Sequence, residues 1–325
     1  MKKIFNKQNN FLFALIGMIF LAKIIPYKEE YSVFFNLNTF IDWGICIIFL
    51  LYGLKLNIKE VFRDIRNWRL HLLVQFGTFV LFPLLVFIFY PIAKDTEYQL
   101  VWLSIFFLAS LPSTVSSSVV MVSIAKGNVT SAIFNASISG LIGIVATPLL
   151  MGFFLENTSS DVNQSAIIQQ LLLKVLLPIV LGLLLNPYFK NFIEKYKKWI
   201  GEFDRLVILL IVYESFSDAF VKQIFQSVSY INFGIIALAS VGLFFVVYGV
   251  LKKIAQKMHF TREEIITATF CGSKKSLVHG SLFVMVLGIA ENQKVIFLLP
   301  IMLYHSFQLF YVSWLANRIG QGGKL

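Results

Sequence analysis

The sequence predicts an all-α polytopic membrane protein, and three observations carry that reading. Of its 325 residues, 58% are hydrophobic and only 14% charged, with a mean hydropathy of +0.77; soluble domains run nearer a quarter charged. The apolar residues gather into ten segments, most of them of spanning length. The basic residues gather in alternate loops between those segments, as repeated crossing of a bilayer requires. Ten transmembrane helices follow, five in an N-terminal half (1–160) and five in a C-terminal half (161–325).

The first five segments are 11–25, 40–56, 68–90, 100–125 and 129–155; the second five are 166–186, 203–220, 228–251, 263–289 and 295–317. The first follows Met1-Lys2-Lys3 and resembles a signal peptide superficially. No small-residue cleavage site follows it, and Lys23 and Pro26 close the run, so it reads as an uncleaved span. One alternate set of loops holds Lys2, Lys3 and Lys7, then Lys55, Lys59, Arg63, Arg66 and Arg69, then Lys126. It continues with Lys190, Lys195, Lys197, Lys198 and Arg205, with Lys252, Lys253, Lys257 and Arg262, and with Arg318 and Lys324. The other set holds Lys28, Lys94, Lys222 and Lys294. A bias of roughly five to one that never reverses puts both termini in the cytoplasm, for a protein of the plasma (inner) membrane. Five spans per half give the halves opposite starting sides, so any repeat between them is inverted in topology.

The same pattern excludes several functions. The net charge of +11 resides in short loops and marks topology, so no nucleic-acid partner is implied. Cys46 and Cys271 both fall in apolar stretches, which gives neither a disulfide framework nor a zinc site. No H-E-x-x-H, no G-x-S-x-G and no paired catalytic carboxylates occur, so the chain does not read as an enzyme and needs no cofactor.

Two segments are interrupted. Thr261-Arg262-Glu263-Glu264 has the form of a capping box opening the ninth segment. About ten residues on, roughly 15 Å of helix, Cys271-Gly272-Ser273-Lys274-Lys275-Ser276 stands at about half the depth of a ~30 Å hydrocarbon core. The fourth segment is interrupted at Pro112-Ser113-Thr114-Val115-Ser116-Ser117-Ser118, about twelve residues after Leu100. Paired broken helices at corresponding places of two halves point to a transporter's midplane site. The alternative is a pair of packing kinks with hydroxyls bonded back to the helix.

Charges at that depth need partners or a cavity. Lys275 reads as a tethered cation, a substrate anchor or a proton-linked switch, and the plain alternative is that Lys274 and Lys275 snorkel to the surface. Lys174 and Glu214 fall near mid-depth on consecutive antiparallel spans, so they are expected to neutralise one another, as a structural pair or a proton relay. His305 and Gln308 share a face of the last span, with Gln75 and Thr78 on the third as weaker candidates.

The two broken segments, together with Ala125-Lys126-Gly127-Asn128, Ala132-Ile133-Phe134-Asn135 and Thr147-Pro148-Leu149-Leu150, resemble the bile acid:sodium symporter superfamily. Cys271 to Leu277, Trp68-Arg69-Leu70-His71-Leu72 and Tyr304-His305 are similar to the branch that includes the seventh member of the tenth solute carrier family. The resemblance covers nearly the whole chain. It implies two inverted five-helix repeats, arranged as a panel domain and a core domain whose fourth and ninth helices cross at their breaks. It also implies a cation site at Ser117, Ser118, Ser131 and Asn135, all oxygen-bearing as Na⁺ requires, with Cys271 where sodium-coupled members carry a shared glutamate. Lys275 stands where those members place a glutamine of a second cation site. An ammonium there repels sodium by about 4 kcal/mol at ~4 Å and an effective dielectric constant near 20.

The resemblance places the region of His305 and Gln308 beside the substrate cavity, and the expected substrate-binding set is Lys275, Ser276, His305, Gln308 and Ser116. Helix N-termini after both breaks, with a lysine and without the glutamate, favour an anion. Apolar, aromatic walls favour one with an apolar body. The expectation is a secondary transporter of an organic anion by alternating access, with Na⁺ as a possible coupling ion. The alternatives are sodium-independent or proton-linked anion transport, and a non-transporting membrane regulator, for example of calcium entry.

Overall fold

The computed structural model describes residues 2–27, 36–55, 65–155, 172–221 and 229–323, with the single positions 169 and 223. Among them all regular structure is helical and no strand occurs. The helices are α1 (Lys2–Ile24), α2 (Leu37–Lys55), α3 (Trp68–Phe87), α4 (Gln99–Ser110), α5 (Ser116–Ile124) and α6 (Val129–Leu155). They continue with α7 (Leu177–Val221), α8 (Tyr230–Lys257), α9 (Arg262–Gly272), α10 (Leu277–Val286) and α11 (Lys294–Gly320).

Five helical stretches among the described residues are long and apolar enough by themselves to cross a membrane: α2, α3, α6, Ile231–Lys257 and Glu291–Gly320. Large apolar side chains on them, including Trp43, Leu84, Phe153 and Leu238, are exposed and belong in lipid. The fourth and ninth expected segments are each two short helices, α4 with α5 and α9 with α10, separated at the predicted breaks.

By packing, the chain divides into two units. The first comprises Met1–Leu56, Leu155–Ser229 and Ser281–Val295; the second comprises Asn57–Phe154, Tyr230–Gly280 and Ile296–Leu325. Each unit takes segments from both 1–160 and 161–325, so the halves expected from span counting divide the sequence, while packing follows another partition.

In the first unit, α1 and α2 pack against α7. The contact is close because Gly53 and Gly182 face each other: a methyl on either would collide with a backbone carbonyl, that of Ile179 or of Leu50. Small residues permit such backbone approach in membranes. The sixth and seventh expected segments, 166–186 and 203–220, were expected to be separated by a loop; from Leu177 onward they are instead joined by helix without interruption. That helix must bend. Gly182 lies against Gly53, and Val207 against Gly44. Those contacts are 25 residues apart on α7, roughly 38 Å if straight, but nine apart on α2, roughly 14 Å. Ile193 and Ile200 pack on Leu54 at the end of α2, so the stretch carrying Lys195 and Lys198 turns around that end, beginning near Pro187.

The second unit holds both breaks. α9 opens as the sequence predicts: the Thr261 hydroxyl accepts from the Glu264 amide, and the Glu264 carboxylate accepts from the Thr261 amide at 2.9 Å. A tight turn joins α5 to α6, with Lys126 at a positive φ of 61°. Asn128 ends that turn. Its side-chain oxygen accepts from the Ser131 amide, and its own amide donates to Thr267 on α9 at 2.9 Å.

Candidate functional site

The first break follows from Pro112. Proline lacks an N–H and biases the residue before it away from helix; Leu111 is extended, at φ −70° and ψ 152°. The last four carbonyls of α4 therefore have no helical donor, and in this buried place each must find another. The Phe107 carbonyl takes the Ser110 hydroxyl at 2.8 Å, and Leu108 takes the Leu111 amide at 3.3 Å. Ala109 takes the Lys275 ammonium at 2.6 Å, and Ser110 takes the Thr147 hydroxyl at 2.8 Å. Just beyond, the Leu111 carbonyl accepts from Lys275 at 2.7 Å and that of Pro112 from the Ser276 amide at 2.9 Å.

The second break is held as fully. The Ser113 hydroxyl donates to the Cys271 carbonyl, and the Tyr304 hydroxyl donates to the Ser273 carbonyl. Gln308 grips the backbone of Lys275 from both sides: its Oε1 accepts from the Lys275 amide at 3.0 Å and its Nε2 donates to the Lys275 carbonyl at 2.8 Å. The Ser276 hydroxyl accepts from the His279 amide and lies 3.0 Å from His279 Nδ1, which caps α10. Pro112 with Ser276, Ser113 with Cys271 and the Lys275 side chain thus tie the two breaks directly to each other.

Lys275 is fully buried, and its ammonium donates to a third carbonyl, that of Thr78, at 2.8 Å. A local departure from α-helix leaves that carbonyl free. Residues 77–81 of α3 form a π-helical turn, in which the Phe82 amide reaches Gly77 and not Thr78. The next donor in line would be residue 83, which is a proline. The Phe82 ring covers the same ammonium at 4.2 Å. An ammonium has three N–H donors, and all three are used. Lys275 therefore neither snorkels nor holds a free donor for substrate in this conformation.

Lys274 is buried too, 1% exposed, and also does not snorkel. Its ammonium donates to the Ser117 carbonyl at 3.0 Å. Among the described residues no carboxylate lies within 4.0 Å of either ammonium; the ion pairs are elsewhere, at Lys55–Asp204, Lys174–Asp42, Arg205–Glu202 and Lys294–Glu291. The crossing thus holds two buried lysine side chains with no carboxylate partner among the described residues.

The other expected residues fall into separate groups. Ser117 and Ser118 each bond the Thr114 hydroxyl, at 2.8 and 2.7 Å. Asn135 accepts from Gln75 at 3.1 Å, donates to the Ser131 carbonyl at 2.9 Å, and lies 3.0 Å from His71 Nδ1. The His71 ring stacks on Phe134. His305 Nδ1 is 2.9 Å from the Gln308 amide nitrogen, so Gln308 serves the backbone of the break and the histidine together. Ser116 begins α5, and its side chain lies outside the described residues.

The expected Lys174–Glu214 pair does not form. Lys174 pairs with Asp42 at 2.8 Å, and Glu214 accepts from Ser215 with Lys294 as the cation acting on it. Equal depth on neighbouring spans does not fix which faces meet, and Asp42 presents its carboxylate to the side of Lys174. Sequence reasoning missed Phe82 altogether, and it named Thr114 only as part of the first break and Tyr304 only in the resemblance, without the bonds they make at the crossing. One partial signal was available: Pro83 leaves a carbonyl of the preceding turn without a helical donor, that of Phe79 in a regular α-helix, and the π-helical turn shifts the vacancy to Thr78.

The sequence profile of the SBF-like CPA transporter family matches residues 9–321. The chain is 35% identical over 322 residues to YfeH of Escherichia coli (strain K12), whose name carries the word symporter, covering 97% of this chain and 94% of that one. It is 28% identical over 316 residues to sodium/bile acid cotransporter 7-B of Xenopus laevis, covering 95% and 91%. To sodium/bile acid cotransporter 7 of Mus musculus it is 28% identical over 300 residues, covering 90% and 85%.

Proposed function

Because the chain belongs to the SBF-like CPA transporter family, we propose that it carries an organic anion across the membrane by alternating access, with Lys275 as a fixed cation in the crossing of two broken helices. One observation carries this reading: two buried ammonium groups at the crossing have no carboxylate within 4.0 Å among the described residues. Taking an ion out of water costs several kcal/mol, and a buried ionisable group within a membrane span is by default a functional one. Uncompensated positive charge attracts an anion, and the apolar surroundings suit one with a hydrophobic body.

Lys275 makes the contacts a bound metal ion would make. Its ammonium gathers three backbone carbonyls, Thr78 from the π-helical turn within α3 and Ala109 and Leu111 from the end of α4. A sodium ion there would meet that ammonium and be repelled, so transport at this position proceeds without sodium. The neutral oxygens of Ser117, Ser118, Ser131 and Asn135 offer at most a weak second cation site, since no carboxylate among the described residues is bonded to them. The fold proposed with this reading is ten crossing segments in two inverted repeats.

The relatives named as sodium/bile acid cotransporters make cholate the first probe. Purified protein in liposomes is given labelled cholate with and without an inward sodium gradient. Uptake that is indifferent to sodium in the wild type, and becomes more sodium-dependent in Lys275→Gln, supports the fixed-cation reading. Strict sodium dependence in the wild type, or unchanged uptake and ion dependence in Lys275→Gln, refutes it. Asn135→Ala should abolish any sodium-dependent rise in melting temperature; a rise that persists rules out the weak site.

A further inference from the structure

We propose that Lys274, and not Lys275, holds the charged group of the transported anion; the assignment rests on the anion-transport reading above. The two lysines are adjacent, equally buried and chemically identical, yet their hydrogen bonding differs. Lys275 spends all three N–H donors on the carbonyls of Thr78, Ala109 and Leu111. Lys274 spends one, on the Ser117 carbonyl at 3.0 Å, which leaves two donors without a partner among the described residues. Buried donors are almost always satisfied, and an ammonium that is 1% exposed cannot satisfy its own from bulk water.

What would complete it is an acceptor that is itself charged. The titratable groups that act on Lys274 electrostatically are the Cys271 thiol and the His305 ring, and neither is a carboxylate. A carboxylate, sulfonate or sulfate group of a substrate supplies two oxygens for the two spare donors, in charge-assisted bonds. The position is pre-organised. Lys274 lies on the non-helical link between α9 and α10, with the Ser273 carbonyl held by Tyr304 on one side and the Lys275 backbone held by Gln308 on the other. Lys275 locks the crossing, and Lys274 beside it is left to bind. Enclosed in this structure, the ammonium meets an anion when the surrounding helices part, a step that alternating access provides.

The test uses the full-length protein in detergent. Its melting temperature is followed with cholate below its micellar concentration, and separately with inorganic sulfate, at constant ionic strength. Wild type should be stabilised by cholate. Lys274→Met should melt at or above the unliganded wild type, because a half-satisfied buried charge is replaced by an apolar side chain of similar length. Its half-saturating cholate concentration should rise by about 10- to 100-fold, the loss of charge-assisted hydrogen bonds. Lys274→Arg keeps the charge and should retain part of the response. A sulfate response lost with the cholate response marks a site that reads the anionic group; a cholate response alone that is lost marks one that also reads the apolar body. Lys274→Met responding to cholate as wild type does would move the anchor elsewhere and leave the transport reading standing. A wild type that responds to neither anion would overturn both. Lys274→Met melting as low as Lys275→Met would make Lys274 a structural residue and end the proposal.

Discussion

Replacing Lys275 by methionine keeps the length and much of the volume of the side chain and removes only the ammonium. Three carbonyls, those of Thr78, Ala109 and Leu111, then lose a donor at 2.6 to 2.8 Å. None has a helical substitute, because α4 has ended, Pro112 blocks its continuation, and Pro83 offers Thr78 no N–H. Each buried unsatisfied carbonyl costs about 1–3 kcal/mol, roughly 3–9 kcal/mol for the three. Loss of the Phe82 contact adds about 2 kcal/mol for a desolvated pair. Against this stands the ammonium's own desolvation penalty, several kcal/mol that the variant no longer bears. The net expectation is a destabilisation of about 3–5 kcal/mol, the range for removing one partner of a buried charged contact. For a chain of this size that corresponds to a fall in melting temperature of roughly 5–15 °C. Hydrogen–deuterium exchange locates the damage: amides in 111–118 and 273–279 should exchange faster, while those of α2 and α7 stay as they were. A Lys275→Met protein that melts within about 2 °C of wild type, with unchanged exchange at both breaks, would show that the ammonium does not hold the crossing together.

Three further outcomes follow from the same geometry. Gln308→Leu leaves the buried amide and carbonyl of Lys275 unpaired and should cost roughly 2–5 kcal/mol by thermal melting, with exchange rising first at 273–277; wild-type stability would show that the grip is dispensable. Gly53→Ala drives a methyl into the Ile179 carbonyl and should destabilise the fold by about 1–3 kcal/mol or more, seen as lower folded yield and a lower melting temperature, whereas Gly17→Ala, which meets nothing within 4 Å, should not. Leu325→Cys should react with a membrane-impermeant thiol reagent only after permeabilisation; labelling of intact cells would overturn the cytoplasmic assignment of the C-terminus.

What the sequence determined by itself is local. The capping box at Thr261, the end of α4 before Pro112 and the interruption of α9 near Gly272 each follow from a residue's own backbone chemistry, and each stands where that chemistry puts it. Composition settles the solvent, since 34 phenylalanines with 14% charge suit a bilayer far better than water. The family was legible in the break residues for the same reason: they are short, contiguous and chemically unusual.

Tertiary structure decided which groups meet. Lys174 was expected to meet Glu214 at mid-depth, and packing delivered Asp42, 132 residues away and near the start of its span. The ammonium of Lys275 had no partner nameable from sequence, because its acceptors are backbone carbonyls 164 to 197 residues away, and every residue has one. Only the fold shows which carbonyls have been left without a helical donor and turned toward the same point. For the same reason the sequence could not tell Lys274 from Lys275 by their partners: three acceptors for one ammonium and one for the other is a distinction that exists only once the helices have been brought together.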